Sequence, residues 1–407
     1  MTPAPSPRSR ANRVLRVLGS FHLAVGIFAA MFVVVFIGTW QQRVMSLHDV
    51  QRTYFESAVF TVPLFGTVPL PLPGGVTLIA ALTVNLVVGG VLRMRLGLST
   101  AGVLVTHVGI LVLFVGSAVE WWASDKGAVR LREGDSASVF ESYTDWELAI
   151  VDVAARREHV VPQDELARAS DGRAVTFTSA ALPFDVVVSS WLRNADARRS
   201  PGPGVGAEGV VLVPLPDHPK QAEANVAACY VDVRARDGSG RQGGASAKGV
   251  LWGRADTPFS TEVGGKAWAF ELRRRSFELP FAVRLDRAVA REHPGTDIPS
   301  EYSSYVTRTA GGAERAVHIT MNAPLRDSGV TLYQSSYGKE ADGAVFSGFA
   351  VVRNPSDRVP IIACAIIGAG MVLHFLLKLS RHLGSQSARR AARSRLASRA
   401  TPHGSAA

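Results

Sequence analysis

Cysteine is nearly missing from this chain of 407 residues: only Cys229 and Cys364 occur. Cys229 lies in a polar middle region and Cys364 inside an apolar run, so the two are not expected to pair, and a disulfide framework is excluded. No Cys-x-x-Cys is present, which argues against a thiol–disulfide oxidoreductase and against a cysteine zinc site. A glycine-rich phosphate loop and a Gly-x-Ser-x-Gly turn are also missing. The histidines His48, His159, His218, His293 and His318 are scattered without metal-ligand spacing. His48-Asp49 has the composition of a catalytic pair, but adjacent residues on a polar loop read more simply as solvated.

Charge is missing from four long stretches. Residues Phe21 to Trp40, Val76 to Leu92, Leu98 to Val119 and Val359 to Leu377 contain no Asp, Glu, Lys or Arg. Each is close to the roughly 20 apolar residues that a bilayer crossing requires. The first run is too long for a signal-peptide core and lacks an Ala-x-Ala site after it, so it reads as a retained anchor. The uncharged segment with Pro63, Pro69, Pro71 and Pro73 is too broken for a clean helix and is expected at the membrane interface.

Acidic residues are missing from the parts that flank these runs at one end. The amino-terminal tail, the link Arg93–Gly97 and the tail from Lys378 onward hold thirteen Lys and Arg and no acid. Against a net charge of +10, the remainder of the chain therefore carries −3. The basic balance is a topology signal that puts both termini in the cytoplasm. No aromatic-interleaved basic patch accompanies it, so no nucleic-acid partner is expected. Trp40, Trp121 and Trp122 fall at the opposite ends of the first and third spans, where an aromatic belt belongs.

These signals predict an integral membrane protein of four transmembrane α-helices, three N-terminal and one C-terminal. A large extracytoplasmic β-rich domain is expected between the third and fourth. The expected organisation is a cytoplasmic basic tail at 1–20, a three-helix membrane region at 21–119 with a short outer loop, the outer domain at 120–358, the fourth helix at 359–377 and a second cytoplasmic basic tail at 378–407. The location is the inner (plasma) membrane, in contact with its lipid. Strands are expected at Ala128–Arg132, Ala174–Thr178, Asp185–Ser189, Tyr230–Arg234 and Trp268–Leu272, where β-branched and aromatic residues alternate or run together. Glycine turns at Asp237–Gly240 and Ala310–Ala313 punctuate them. Gln163–Ala169 reads as a short helical turn, and Val205–Glu208 as a flexible loop. No internal repeat is present.

The candidate site lies in the third apolar run. His107 has only apolar or small neighbours within four positions, apart from Thr106. An ionisable ring at mid-membrane depth is costly without a partner and marks a functional candidate. Proton relay, haem-iron ligation and a plain hydrogen bond to a neighbouring helix all remain open from the residues alone. His374 in the fourth run is a weaker candidate, because it is expected in the last turn beside Lys378, where snorkelling and the helix dipole explain it. His22, at the edge of the first run, takes the same discount. Gly102, Gly109 and Gly116 repeat every seven residues and mark a face open to a second helix or a flat macrocycle.

Several segments in order resemble the ResB family, the CcsB-type component of cytochrome c biogenesis. They are Gly38-Thr39-Trp40-Gln41, Tyr54-Phe55-Glu56-Ser57, Asn85-Leu86, and His107-Val108-Gly109 with Gly116. Further on come Ile319 to Leu325, Leu332 to Tyr337, and Val352-Arg353-Asn354-Pro355. The region from Asp196 to Gly249 matches nothing in the family pattern and reads as an insertion. The resemblance implies delivery of haem across the membrane to apocytochrome c, with a CcsA-type membrane partner that carries the Trp-rich haem loop lacking here. It implies His107 as an axial ligand of haem iron shared with that partner. It also implies an accessory subunit of a synthetase, and leaves open whether the chain is itself an enzyme. The competing reading is a membrane-anchored scaffold of an envelope complex that binds no haem.

Overall fold

Twenty-one residues without charge or proline form a long helix, α2 (Phe21–Gln41), whose start is capped by Ser20 accepting from the Leu23 N–H at 3.2 Å. A computed structural model describes residues 7–64, 68–200, 206–207, 209–236, 242–295 and 299–400. They belong to two units, one drawn from 1–43, 50–123 and 355–407 and the other from 44–49 and 124–354.

The first unit is helical. α1 (Pro7–Leu18) precedes α2, and α3 (Gly75–Asn85) continues directly into π-helical turns at Leu86–Leu92. α4 (Ala101–Ala123) and α5 (Val359–Ala400) complete it. Four of these segments are long and apolar enough to cross a membrane: Phe21–Gln41, Gly75–Leu92, Ala101–Ala123 and Val359–Ala392. Their outer surfaces carry exposed apolar side chains, among them Phe28, Phe32, Phe36, Ile361 and Phe375. The proline-rich stretch is a two-stranded antiparallel hairpin, β1 (Val59–Leu64) with β2 (Val68–Pro73). An isolated hairpin tolerates proline because each strand has a free edge where no N–H is needed.

α5 departs from the sequence expectation. It does not stop at Leu377, where the apolar run ends, but runs on to Ala400. The following Ala, Arg, Lys, Ser and Gln residues are acceptable helix formers, and no proline intervenes. His374 is therefore inside a helix rather than in its last turn, and the helix-dipole argument for it falls. Residues 401–407 lie outside the described residues.

The second unit is β-rich, and every strand pairing is antiparallel. In chain order its strands are β3 (Asp125–Arg132), β4 (Ser136–Asp152), β5 (Arg157–Pro162), β6 (Ala174–Thr178), β7 (Phe184–Leu192), β8 (Ala195–Arg199), β9 (Val210–Pro214) and β10 (Ala228–Arg236). β11 (Gln242–Trp252), β12 (Phe259–Val263), β13 (Lys266–Glu292), β14 (Pro299–Ala310), β15 (Ala313–Thr320), β16 (Leu325–Asp327), β17 (Val330–Lys339) and β18 (Val345–Arg353) follow. A ten-stranded sheet runs β15-β14-β13-β4-β3-β18-β17-β16, with β12 paired to β13 and β5 to β4. A four-stranded sheet runs β11-β10-β7-β6.

The 27-residue β13 serves two cores. Its first half places Trp268, Phe270 and Leu272 against Phe184, Val186, Val188 and Val231. Its second half places Leu279, Phe281, Val283 and Leu285 against Phe140, Val306, Leu332 and Phe349. The inward-facing positions change from even to odd between Leu272 and Phe277, where the register to β4 shifts between Arg274 and Ser276. Such an irregularity re-aims the strand's side chains, and so turns its apolar face to a second core. A second shift, between Glu278 and Val283, brackets Pro280, which has no N–H for the ladder.

The strands expected from alternation are present. Ala310-Gly311-Gly312-Ala313 closes the β14–β15 hairpin with φ of +55° and +80° at the two glycines, as a two-residue hairpin turn requires. Gln163–Ala169 forms the expected short helical turns. The glycine turn at 237–240 and residues 205 and 208 of the loop at 205–208 lie outside the described residues. The region that matches nothing in the family pattern is nonetheless integral to the first core. β10 lies within Asp196–Gly249, pairs with β7 and buries Cys229, Val231 and Val233 in the first core. β18 is a further final strand, seen in the sequence only as its Val352-Arg353 end.

Candidate functional site

His107 is half-buried on α4, and its Nδ1 lies 3.0 Å from the Gly90 carbonyl oxygen. A carbonyl only accepts, so Nδ1–H is the donor, and a ring that carries one proton has its lone pair on Nε2. Gly90 belongs to the last turn of the π-helical segment, and among the described residues no backbone N–H is bonded to its carbonyl. Within this turn the Val88 carbonyl takes the Arg93 N–H at 3.1 Å, and the Gly90 carbonyl takes the imidazole.

The ring borders a cavity of about 400 Å³. Its walls are Phe21 and Phe28 of α2, Leu82, Asn85 and Leu86 of the second apolar segment, and Ile110 and Phe114 of α4. The volume falls within the range of small-ligand pockets, and an apolar wall with one nitrogen ligand suits a flat metallated macrocycle. The residues present therefore fit a haem: His107 would hold iron, and the phenylalanine and leucine side chains would cover the ring faces.

Sequence reasoning missed the groups that frame this cavity. Asn85, noted only as part of an Asn-Leu motif, is 8% exposed and donates through Nδ2 to the carbonyls of Leu18 at 2.6 Å and Ser20 at 3.0 Å. It thereby satisfies carbonyls at the break between α1 and α2. Arg93 Nη1 adds a bond to the Leu15 carbonyl at 2.9 Å. Gly19 and Gly89 meet backbone to backbone, since a Cβ on Gly19 would lie 2.8 Å from Gly89 Cα. The sequence signal was the Gly89-Gly90 pair inside an otherwise apolar run, flanked by a lone asparagine.

The glycine face of α4 is occupied by a helix. Gly102, Gly109 and Gly116 are all buried. A Cβ on Gly109 would lie 2.7 Å from Ile367 Cγ1, and those on Gly102 and Gly116 would run into the backbone at His374 and the side chain of Val359. At about 100° per residue His107 lies roughly 160° around the helix from Gly109, so the ring and the glycine face point apart. His374 meets the glycine face through its backbone and is not among the residues bordering the His107 cavity. The two candidates are not brought together. His22 is exposed at the start of α2.

The β unit holds no comparable constellation among the described residues, where no group of three or more His, Cys, Asp or Glu is placed to hold a metal. His318 stacks on Tyr305 at 4.2 Å between ring centres. Asp49 accepts from the Ser46 hydroxyl at 2.7 Å while Ser46 Oγ accepts from the Asp49 N–H, a capping arrangement, and Arg193 bonds its other oxygen. Burial pushes the Asp49 carboxyl up, but the Ser46 and Arg193 bonds outweigh it and leave the pKa below the usual value. Burial lowers the Arg274 guanidinium to about 10, offset in part by Asp145, Glu141 and Glu223. That group lies over the Trp146 ring at 4.1 Å and donates to the carbonyls of Glu223 and Asn225, which is structural work.

Residues 261–346 match the model of the ResB-like family. This segment falls in the β unit, from within β12 to the start of β18, and does not include His107. The chain is also similar to Protein NrfI of Wolinella succinogenes, with 21% identity over 279 residues. That alignment covers 68% of this chain, and the chain spans 27% of the length of the relative. The two matches together support a ResB-family assignment.

Proposed function

With that ResB-family assignment as the premise, we propose that the chain is a multi-pass subunit of a cytochrome c biogenesis machinery in the inner membrane. It passes haem across the membrane to apocytochrome c together with a CcsA-type partner. The four apolar helices cross the bilayer, both termini are cytoplasmic, and the β unit is extracytoplasmic. Haem is cargo here, so the chain works as an accessory subunit and does not itself form the cytochrome's bonds. The observation that carries the reading is His107, an imidazole on a membrane-length helix that borders an apolar cavity of ligand size.

In this reading His107 is the haem-iron ligand contributed by this chain, and the phenylalanine-lined cavity covers part of the macrocycle. A bound haem would supply the iron, which His107 would hold from this chain, with a second ligand coming from the partner. His374 stays a weaker candidate, since its backbone packs against α4 and its ring has no hydrogen bond among the described residues.

The scaffold reading has one observation in its favour: a histidine bonded to a backbone carbonyl is also what plain helix packing produces. The two separate on His107→Ala in the full chain co-expressed with its partner. Loss of a polar group from an apolar helix leaves insertion intact. Co-purified haem, read from the Soret band, and cytochrome c maturation are both expected to fall. Added imidazole is expected to restore part of each by filling the vacated position. Full haem content and full maturation in the variant would leave the scaffold as the better account.

A further inference from the structure

Two adjacent glycines, Gly89 and Gly90, lie in the last turn of the second apolar segment, and each is required by a different neighbour. Gly89 is taken by the backbone of Gly19. Gly90 faces the imidazole: a Cβ there would lie 2.8 Å from His107 Nδ1, 3.2 Å from His107 Cε1 and 3.0 Å from Leu86 Cδ1. No side chain fits at residue 90 without moving the ring, the Leu86 side chain or both. Among the described residues the same glycine offers the ring its one hydrogen bond, 3.0 Å from Nδ1 to the carbonyl oxygen. The carbonyl is available because the segment winds as π-helix over Leu86–Leu92 and stops, leaving its last acceptors without onward N–H partners.

A neutral imidazole carries one proton and chooses between two nitrogens. In water the two forms lie close in energy, and a single buried acceptor on one side decides between them. Here the acceptor is a backbone carbonyl, which cannot donate and cannot rotate away. Nε2 makes no hydrogen bond among the described residues, so nothing opposes the choice. A ligating histidine whose second nitrogen is tied to a carbonyl has its tautomer and ring direction fixed, and its basicity raised.

We infer that Gly90 is a positioning residue for His107: its carbonyl holds the ring as the Nδ1–H tautomer, and its missing side chain leaves room for that ring, so that Nε2 is the nitrogen offered to an incoming metal centre. This rests on the proposed haem role for its purpose, but not for its geometry. Asn85, immediately before the π-helical segment and five residues before Gly90, fixes the approach of this segment to the α1–α2 break and so keeps the Gly90 carbonyl in register with His107.

The tautomer is read without haem. The full chain is prepared haem-free in detergent with ring-15N histidine, and His107→Ala assigns the His107 signals. At a pH where the ring is neutral, the protonated-type resonance is expected on Nδ1 and the bare-nitrogen resonance on Nε2. An Nε2–H ring, or an even mixture, in the unaltered chain overturns the inference whatever any variant does. In Gly90→Ala, with helicity checked by circular dichroism, the bias is expected to be lost. An unchanged Nδ1–H signal in that variant would also overturn it. Haemin titrated into the complex with its partner provides the second arm: Gly90→Ala is expected to weaken retention about 10-fold, as loss of an outer partner of a metal-ligating histidine does. If haemin fails to bind the unaltered complex while the Nδ1–H tautomer is intact, the haem reading falls and the positioning of the ring stands.

Discussion

Cys229 sits on β10 at 0% exposure among Val231, Phe184 and Trp268, with no polar partner for a charged sulfur. Burial raises its thiol from an ordinary 9.0 to about 12. The group is neutral when protonated, and the fold favours that neutral form. Its contribution to stability is therefore complete below pH 9, where the unfolded thiol is also protonated, and is lost as pH rises from about 9 towards 12. Iodoacetamide at pH 8 is expected to leave Cys229 unmodified in the folded protein and to label it once denaturant opens the first core. Labelling of Cys229 at the same rate in both states, followed by mass spectrometry, would show that the core is not closed at β10. The residue has no redox or nucleophilic role in this reading, since the thiolate is the reactive species and the fold suppresses it. Its burial could not be read from the sequence, where the surrounding Asp196–Gly249 matched nothing. Alternation in Tyr230–Arg234 indicated a strand, but the pairing to β7 that buries it spans about forty residues of chain.

Elements carry information about spacing, and spacing does not name the neighbour. Gly102, Gly109 and Gly116 announced a close approach on one face of α4, and a helix or a macrocycle satisfied the pattern equally. In the fold the neighbour is α5, with Ile367 against Gly109 and Val359 against Gly116. The ligand question thus moves to the opposite face, where His107 meets a segment whose π-helical winding had no signature beyond Gly89-Gly90. The end of α5 was illegible for a related reason: charge marks where a segment leaves an apolar medium, whereas helix continues until a breaker or cap stops it. Gly109→Leu tests this division of faces. The added side chain meets Ile367, so thermal stability in detergent is expected to fall by about 1–3 kcal/mol, as overpacking does. Haem bound per folded molecule is expected to stay at the unaltered level, because His107 is on the other side of α4. A selective loss of haem with unchanged melting would mean that the glycine face, and not the cavity, carries the cargo.

At the scale of the whole chain, the charge pattern and the β texture were legible, whereas the two-core plan of the β unit was not. Strand alternation is local, but β13 joins both cores through pairings to β4 that reach back more than a hundred residues, from Trp268 to Asp152 and from Arg284 to Ser136. The sidedness proposed for the chain rests on a different, additive property. Thirteen Lys and Arg with no acid lie in the amino-terminal tail, the Arg93–Gly97 link and the tail from Lys378, and the remaining chain is net −3. Each basic residue near a span opposes translocation, and the effects accumulate over short flanks such as Arg93–Gly97. The expected outcome is that the tail beyond Lys378 stays inside and the β unit is exported. Single cysteines test it in a background with Cys364 replaced and Cys229 left buried. Ser260→Cys, on an exposed position of β12, is expected to react with a membrane-impermeant maleimide in intact spheroplasts. Ser387→Cys, exposed on α5, is expected to react only after the membrane is permeabilised. Labelling of Ser387→Cys from outside would put the basic tail on the wrong side. The positive-charge argument, the four-span count and the delivery direction proposed for haem would then fail together, since each depends on the same orientation.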